Sequence, residues 1–354
     1  MKLGIPSMAV IQTKISDLIN KSSIPFIDVR SPGEFQKGHI PGAINLPLFS
    51  DFERAMVGTI YKQTGRQAAI LKGLEFVGPR IKFLLEQAID FSYQNNLILY
   101  CWRGGMRSAS LAWLFSQAGL EISIVEGGYK AYRRLARTFY EESSIKFLVL
   151  SGRTGTGKTD LLNRLQILGE QIIDLEFIAN HKGSAFGWIG QSVQRSNEQF
   201  ENDLFQAIYG LDFNKIIWIE NESRTIGRNF IPEELWNKIK SSPIINIERT
   251  IESRLEQLLY YYEIKNDNAL KVSFEKIRKR LGHEWTQKAI EFIELQNYQE
   301  AAKIALRYYD TCYDYNLVES SSPQIFNIDF SDKSIQDITI DLLKFKQLHF
   351  GKGN

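Results

Sequence analysis

The sequence predicts an α/β protein of two consecutive parallel-sheet domains, the second carrying a helical region toward its C-terminal end. Three observations predict it. Short apolar runs alternate with segments of helical spacing in both halves, the pattern of a parallel sheet covered on both faces. The 354 residues suit two or three domains at about 150 residues each. From about Thr250 to Tyr309 turn residues thin out and the pattern turns helical throughout.

In the first half, Ile24–Val29, Ala43–Leu46, Leu97–Tyr100 and Ile122–Val125 are apolar runs that predict buried strands. Helical spacing covers Gly78–Ser92 and Ser108–Ala118. The charged stretch Tyr132–Ser144 predicts a connector, dividing the chain into domains 1–138 and 139–354. A second series starts at Lys146. Its strands are Phe147–Leu150, Ile172–Leu175, Ile216–Ile219 and Ile244–Ile247, with helices over Thr159–Leu168 and Gln191–Ile208. A helical insertion spans about 250–310, and Gln324–Ile328 returns to the sheet. No repeat of fixed period is present.

Composition narrows the function classes. Hydrophobic residues make up 44% and charged residues 24%, which excludes wholesale disorder and collagen-like structure. No run approaches the length of a membrane span. Met1–Val10 has no long apolar core followed by a small-residue cleavage site, so no secretory leader is expected. The two cysteines, Cys101 and Cys312, are far apart and predict a reduced, cytoplasmic setting. His39, His181, His283 and His349 show no zinc spacing, so no metal ligand is assigned from histidine. The net charge of +2 neither demands nor excludes nucleic acid.

The first chemical constellation is a cysteine in a cradle. Cys101 ends the apolar run Leu97–Tyr100, and Trp102-Arg103-Gly104-Gly105-Met106-Arg107-Ser108 leads into a helix. A strand's C-terminal end is where open α/β sheets place their sites. Gly104 and Gly105 let the backbone curl so that N–H groups converge. The helix N-terminus and the flanking Arg103 and Arg107 add positive potential. All of these favour thiolate and make Cys101 the expected catalytic nucleophile. Such a cradle also suits cysteine-phosphatase chemistry; sulfur or selenium transfer is the preferred reading.

The second is a phosphate cradle. Gly152-Arg153-Thr154-Gly155-Thr156-Gly157-Lys158-Thr159 matches G-x-x-x-x-G-K-[ST] between a predicted strand and a predicted helix. Its N–H groups would hold a diphosphate, Lys158 would add a point charge, and Thr159 could hold a Mg2+. Gly152, Gly155, Gly157, Lys158 and Thr159 are the phosphate-binding residues. The motif leaves open whether a nucleoside triphosphate or another diphosphate ester binds. A metal-holding or water-activating acid would lie at a neighbouring strand end. Asp174 and Glu220 are the candidates, with Glu176 and Glu222 beside them.

Asp28-Val29-Arg30, Glu34-Phe35, Gly38-His39-Ile40-Pro41-Gly42-Ala43, the Cys101 loop and Glu126-Gly127-Gly128-Tyr129 together resemble the rhodanese (sulfurtransferase) domain over residues 8–135. His39 reads as part of a structural turn. The predicted fold class is thus a rhodanese-like parallel-sheet domain, then a P-loop NTPase-like α/β domain with a helical C-terminal region.

The full order of motifs resembles the tRNA 2-selenouridine synthase family over nearly the whole chain. Besides the two loops, the matching pieces are Gly65-Arg66, Gly78-Pro79-Arg80, Gly187 to Gln191, Phe200-Glu201-Asn202, Ile219 to Arg224 and Tyr308-Tyr309-Asp310. Thr311-Cys312 departs from the Pro-Ala-like pair expected there. The resemblance implies action on a wobble uridine already carrying sulfur at C2. Geranyl diphosphate first alkylates that sulfur, and selenium from selenophosphate then replaces the S-geranyl group. Cys101 would carry selenium as a selenosulfide-type species, with Arg103, Arg107 and the amides of Gly104 and Gly105 holding the anionic donor. Geranyl diphosphate and selenophosphate are co-substrates, and no tightly bound cofactor is expected.

A prenyl chain needs an apolar slot, for which Phe186, Trp188, Ile189 and Trp218 are the expected lining. The tRNA partner needs cations and stacking aromatics. Lys130, Arg133 and Arg134, interleaved with Tyr129 and Tyr132, form one such run; Lys276, Arg278, Lys279 and Arg280, with Lys271 nearby, form another. The alternative reading is a rhodanese-type sulfurtransferase coupled to an NTP-hydrolysing domain acting on another substrate. A regulatory sensor is a third reading, disfavoured by the intact Cys101 loop. Cys312 reads as a packing residue in a tyrosine-rich helix.

Overall fold

The structure is a computed structural model that describes residues 10–19, 23–261, 266–318, 322–331 and 333–351. The chain forms two compact units. The first comprises residues 1–142 with Glu201–Gln206; the second comprises Ser143–Phe200 and the chain from Ala207 onward.

The first unit carries strands β1 (Ile11–Thr13), β2 (Phe26–Asp28), β3 (Ile44–Asn45), β4 (Asn96–Tyr100) and β5 (Glu121–Val125). They form one parallel sheet in the order β1-β5-β4-β2-β3. Ile98, Leu99 and Tyr100 of β4 are fully buried, as a strand covered on both faces requires. Leu111, Ala112 and Phe115 of helix Met106–Gln117 and Leu84 and Ala88 of helix Ile81–Phe91 pack in the same core. β4 therefore points its C-terminal end, and Cys101, out of the middle of the sheet.

Of the stretch 132–144, residues 132–142 are helix and the break between the two units falls at its end, at 142/143. Tyr129, Tyr132, Ala136 and Tyr140 of helix Gly128–Glu142 are buried along one stripe. The arginines between them disguise a 3-4-4 apolar spacing that is helical. Two helices absent from the sequence reading, Asp51–Gln63 and Arg66–Val77, lie between β3 and β4. A capping box of Ser50 and Glu53 starts the former.

The second unit carries β6 (Phe147–Gly152), β7 (Gln171–Ile173), β8 (Ile217–Glu220), a short antiparallel hairpin of β9 (Thr225–Ile226) and β10 (Asn229–Phe230), β11 (Ile244–Glu248) and β12 (Ile325–Asp329). Its main sheet is parallel in the order β12-β11-β6-β8-β7. Helix Lys158–Ile167 packs Leu161, Leu162 and Leu165 on it, and helix Ile335–Phe350 adds Ile338 and Leu342. The helical region is Ile251–Tyr261, Asp267–Leu281, His283–Glu294 and Tyr298–Val318. Phe274, Ile277, Ala289, Ile293 and Ala301 give it a core of its own.

Two boundaries differ from expectation. β7 stops at Ile173, because Asp174 caps helix Leu175–Ala179 by accepting the Phe177 N–H at 2.8 Å. The helix expected from Gln191 starts at Asn197, where Ser196 accepts the Gln199 N–H at 3.0 Å. Upstream, the Gln194 amide donates to Ala179 O and Ile226 O and so holds that stretch as loop. Among the described residues no helix is long and apolar enough to cross a membrane.

Candidate active sites

Cys101 follows β4 directly and is 3% exposed. Its Sγ accepts the Gly105 N–H at 3.3 Å and the Ser108 hydroxyl at 3.3 Å. Burial alone would raise the thiol pKa. Hydrogen bonds from the Ser108 side chain and from the Ser108 and Arg103 backbone, with the charge of Arg107, outweigh burial and hold it below the ordinary cysteine value. The loop can therefore stabilise an anion at sulfur.

Ser108 is a functional residue that the sequence reading passed over; its place one helical turn after Gly104-Gly105 was the available signal. Replacing Ser108 by alanine removes a hydrogen bond to the thiolate, worth about 1.5 kcal/mol or more. The thiol pKa then rises toward the ordinary cysteine value. The acid limb of any Cys101-dependent rate moves to higher pH with it. A rate–pH profile checks this, and an unmoved limb would exclude the hydroxyl from thiolate stabilisation.

Arg103 is exposed. Arg107 is not poised over the sulfur; it donates to Glu34 Oε2 at 2.8 Å. Cys101 and Arg107 stand at the Cys-x5-Arg spacing of cysteine phosphatases, yet here the arginine is tied to a carboxylate. Glu34 also closes the capping box of helix Pro32–Lys37 through Ser31, so Arg107 fastens that helix to the thiol loop.

Beneath the loop lies a fully buried ion pair. Arg30 Nη2 meets Asp28 Oδ2 at 2.6 Å and Gly38 O at 2.6 Å, and its guanidinium lies 3.9 Å from the Tyr129 ring centre. Tyr129 N–H in turn donates to Cys101 O at 2.9 Å. Gly128, at φ +61°, lets the two backbones meet; a Cβ there would stand 2.3 Å from Cys101 O. Asn202, counted with this unit, donates to His39 O at 2.8 Å and Tyr129 Oη at 2.7 Å. His39 stacks on Phe35 and bonds Phe35 O, a turn-fixing role.

The second site is the loop between β6 and helix Lys158–Ile167. Gly155 and Gly157 have φ near +85°, and a Cβ on Gly155 would strike Arg254 O at 2.6 Å. Arg254 braces the loop, donating to Thr154 O at 2.8 Å while paired with Asp310. Lys158 Nζ donates to Gly152 O at 2.9 Å, folded onto its own loop. Register pairs Leu150 of β6 with Glu220 of β8, which sets an acid beside the loop. Asp174, the other sequence candidate, caps its helix and also lines the cleft, with its carboxyl bonded to that of Glu220.

Three carboxylates converge here: Glu176, Glu220 and Glu222 each offer an oxygen within 4.8 Å of the others. Glu220 is fully buried, one oxygen accepts the Glu176 N–H at 2.8 Å, and the other has no hydrogen-bond partner among the described residues. Burial, then the neighbouring carboxylates, push Glu220 well above the usual range. Burial and Glu222 push Glu176 up to about 8, against the pull of Lys158. The Thr159 hydroxyl is 3.4 Å from Glu176 Oε2. An oxygen-only set with an orphaned buried carboxylate oxygen fits a hard divalent cation such as Mg2+.

The loop borders a cleft of about 910 Å³ lined by Gly155, Lys158, Glu176, Glu222, Tyr309 and Cys312, among others. Cys312 thus faces the cleft and is only half-buried, contrary to the packing expected of it. An apolar pocket of about 80 Å³ adjoins and shares Thr154, Ser184, Leu258 and Tyr309 with the cleft. Of the four residues expected in an apolar slot, only Phe186 lines this pocket. Trp218 is buried in the β8 core with Nε1 on Glu170, Ile189 packs in the helical core, and Trp188 donates to Ser273.

Arg249, just past β11, was also missed. Its Nε and Nη1 are buried without a hydrogen-bond partner, and Nη1 lies 3.9 Å from where a Cβ on Gly157 would sit. Buried N–H groups without partners cost stability, even on a guanidinium that is only half-buried and in the field of Glu256. Arg249→Met is expected to stabilise the free protein by about 1 kcal/mol, raising Tm by roughly 2–4 °C. Thermal unfolding checks this; a lowered Tm would give Arg249 a structural role.

The expected RNA-contact residues divide. Lys130 and Arg134 are exposed, whereas Arg133 is ion-paired with Glu201 and bonded to Asn202. Lys279 is exposed, Lys276 lies 4.6 Å from the Trp188 ring centre, and Arg278 bonds Glu275 and His283. Arg280 is exposed and hydrogen-bonds Tyr308.

A thiol loop on one parallel sheet and a phosphate loop on another define a two-site protein of the rhodanese-plus-P-loop class. The rhodanese-like domain family matches residues 12–135, and the family described as tRNA 2-selenouridine synthase AAA domain matches residues 145–339. Proteins named tRNA 2-selenouridine synthase are similar over most of the chain. That of Shewanella denitrificans is 35% identical over 340 residues, covering 86% of this chain and 91% of its own. That of Nitrosomonas europaea is 39% identical over 246 residues, covering 67% and 63%. The chain belongs to the tRNA 2-selenouridine synthase family.

Proposed function

We propose that this chain converts a wobble 2-thiouridine of tRNA into 2-selenouridine in two steps. In the first, the C2 sulfur attacks C1 of geranyl diphosphate, the allylic C–O bond breaks and diphosphate leaves. In the second, a C2–Se bond forms, the C2–S bond breaks with loss of geranylthiol, and water cleaves Se–P of selenophosphate to phosphate. The observation that carries this reading is the phosphate loop's cleft sharing four residues with an apolar pocket, in a chain that also holds a thiol whose loop donors favour its anion.

Step one needs its leaving diphosphate held by fixed donors, which the loop N–H groups and Lys158 supply. Thr159, Glu176, Glu220 and Glu222 would hold a Mg2+, whose chemistry is to neutralise diphosphate charge. Step two falls to Cys101. Selenium in selenophosphate is already reduced, so a selenosulfide on Cys101 would demand an oxidant. A thiolate that displaces geranylthiol from C2, and is itself displaced by selenium, balances without one. Arg103 and the loop amides suit the anionic donor. Lys130, Arg134 and Lys279 are exposed cations suited to RNA phosphates.

Incubating the protein with 2-thiolated tRNA, geranyl diphosphate and selenophosphate, then analysing nucleosides by mass spectrometry, tests the whole reading. S-geranyl-2-thiouridine followed by 2-selenouridine is expected, and unchanged 2-thiouridine would overturn it. The loop and its acids also suit a nucleoside triphosphate. ATP turnover without tRNA would favour a sulfurtransferase coupled to nucleotide hydrolysis.

A further inference from the structure

We propose that the apolar pocket beside the phosphate loop is a chain-length gauge that admits the branched tip of a prenyl chain, with Ala305 and Ile293 setting its depth. The proposal rests on the prenyl diphosphate reading of the donor and deepens it to a residue-level account of donor choice. The pocket lies among helices Ile251–Tyr261, Asp267–Leu281, His283–Glu294 and Tyr298–Val318, with Phe186 from outside them. Its only hydroxyl-bearing lining residues are Thr154, Ser184, Tyr298 and Tyr309. Both tyrosines are tied: Tyr298 donates to Asp267 at 2.8 Å, and Tyr309 accepts the Ala185 N–H at 2.9 Å. A chain whose diphosphate rests on Lys158 can pass Leu258 and Tyr309, which line both spaces, and end among apolar side chains.

Size then selects length. A dry cavity of about 150 Å³ takes a six-carbon benzene ring, so the 80 Å³ here takes roughly three carbons, the dimethyl-branched tip of an isoprene unit. A ten-carbon chain therefore lies mainly in the cleft and seats the tip of its second unit in the pocket. A five-carbon chain leaves the pocket empty. A fifteen-carbon chain must displace Ile293 or Phe274, which are 0% and 2% exposed in the packed helical core, and close packing resists that. Ala301 and Ala305 are one turn apart on helix Tyr298–Val318 and both line the pocket, so small side chains keep it open. Bulk added at Ala305 shortens the space, and atoms removed at Ile293 lengthen it.

The experiment offers full-length protein and 2-thiolated tRNA an equimolar mixture of dimethylallyl, geranyl and farnesyl diphosphates, and reads the three S-prenyl nucleosides by mass spectrometry. The wild type is expected to favour geranyl over both others. Ala305→Leu is expected to lower the geranyl-to-dimethylallyl product ratio at least tenfold, and Ile293→Ala to raise the farnesyl-to-geranyl ratio by a similar factor. Ratios within one sample are insensitive to how much protein is folded, and the milder Ala305→Val should move the ratio the same way. Ratios equal to wild type in all three variants would overturn the gauge while leaving the prenyl donor intact. A wild type that transfers none of the three would overturn the donor reading and the gauge with it.

Discussion

Cys101→Ala protein is expected to accumulate S-geranyl-2-thiouridine in tRNA and to form 2-selenouridine at least about 10³-fold more slowly than wild type, the usual scale for loss of a nucleophile. β4 delivers the sulfur to the end of a buried strand. The Gly105 N–H and the Ser108 hydroxyl converge on it, and hydrogen bonding with Arg107's charge outweighs the cost of burying a thiolate. Alanine deletes the sulfur on which both donors converge and leaves the phosphate loop untouched. The nucleosides of treated tRNA, separated by mass, give the result. If selenation survives at near wild-type rate, Cys101 is not the nucleophile. If geranylation falls equally, the steps are not divided between the two loops.

The second large effect is expected at Lys158. In the free protein its ammonium is held by Gly152 O at 2.9 Å, a neutral partner that a diphosphate oxygen would displace. A charge-assisted contact to a leaving group in a preorganised site is worth about 10²–10³ in rate. Lys158→Ala should therefore slow S-geranylation by that factor. Lys158→Arg should not restore it, because a planar fork does not fit a loop closed round a point charge. Initial rates of diphosphate release in the presence of thiolated tRNA measure it. An unchanged rate would take the phosphate loop out of prenyl transfer.

Both loops were legible in the sequence because each packs glycines and charged groups into fewer than ten consecutive residues, behind an apolar strand. The sheets were legible for a related reason: strands buried on both faces read as continuous apolar runs, as in Leu97–Tyr100. What stayed hidden depends on residues distant in sequence. Arg107 looked like a free anion ligand until Glu34, 73 residues away, took its guanidinium. The tyrosine stripe of Gly128–Glu142 was masked by intervening arginines, so an amphipathic helix passed for a linker. Trp218 and Ile189 proved to be core residues because aromatic or aliphatic character alone does not say which side of a strand or helix faces a cavity. The apolar pocket is assembled by four helices and two loops, and no local pattern announces it.

The central claim is that two chemically separate steps act in order on one base. The most direct test crosses two variants with two substrates. Lys158→Ala protein is given tRNA that already carries S-geranyl-2-thiouridine, with selenophosphate; Cys101→Ala protein is given 2-thiolated tRNA with geranyl diphosphate. The account predicts 2-selenouridine in the first reaction and S-geranyl-2-thiouridine in the second, each near the wild-type rate for that step. Failure of pre-geranylated tRNA to rescue selenation by the Lys158→Ala protein would contradict it.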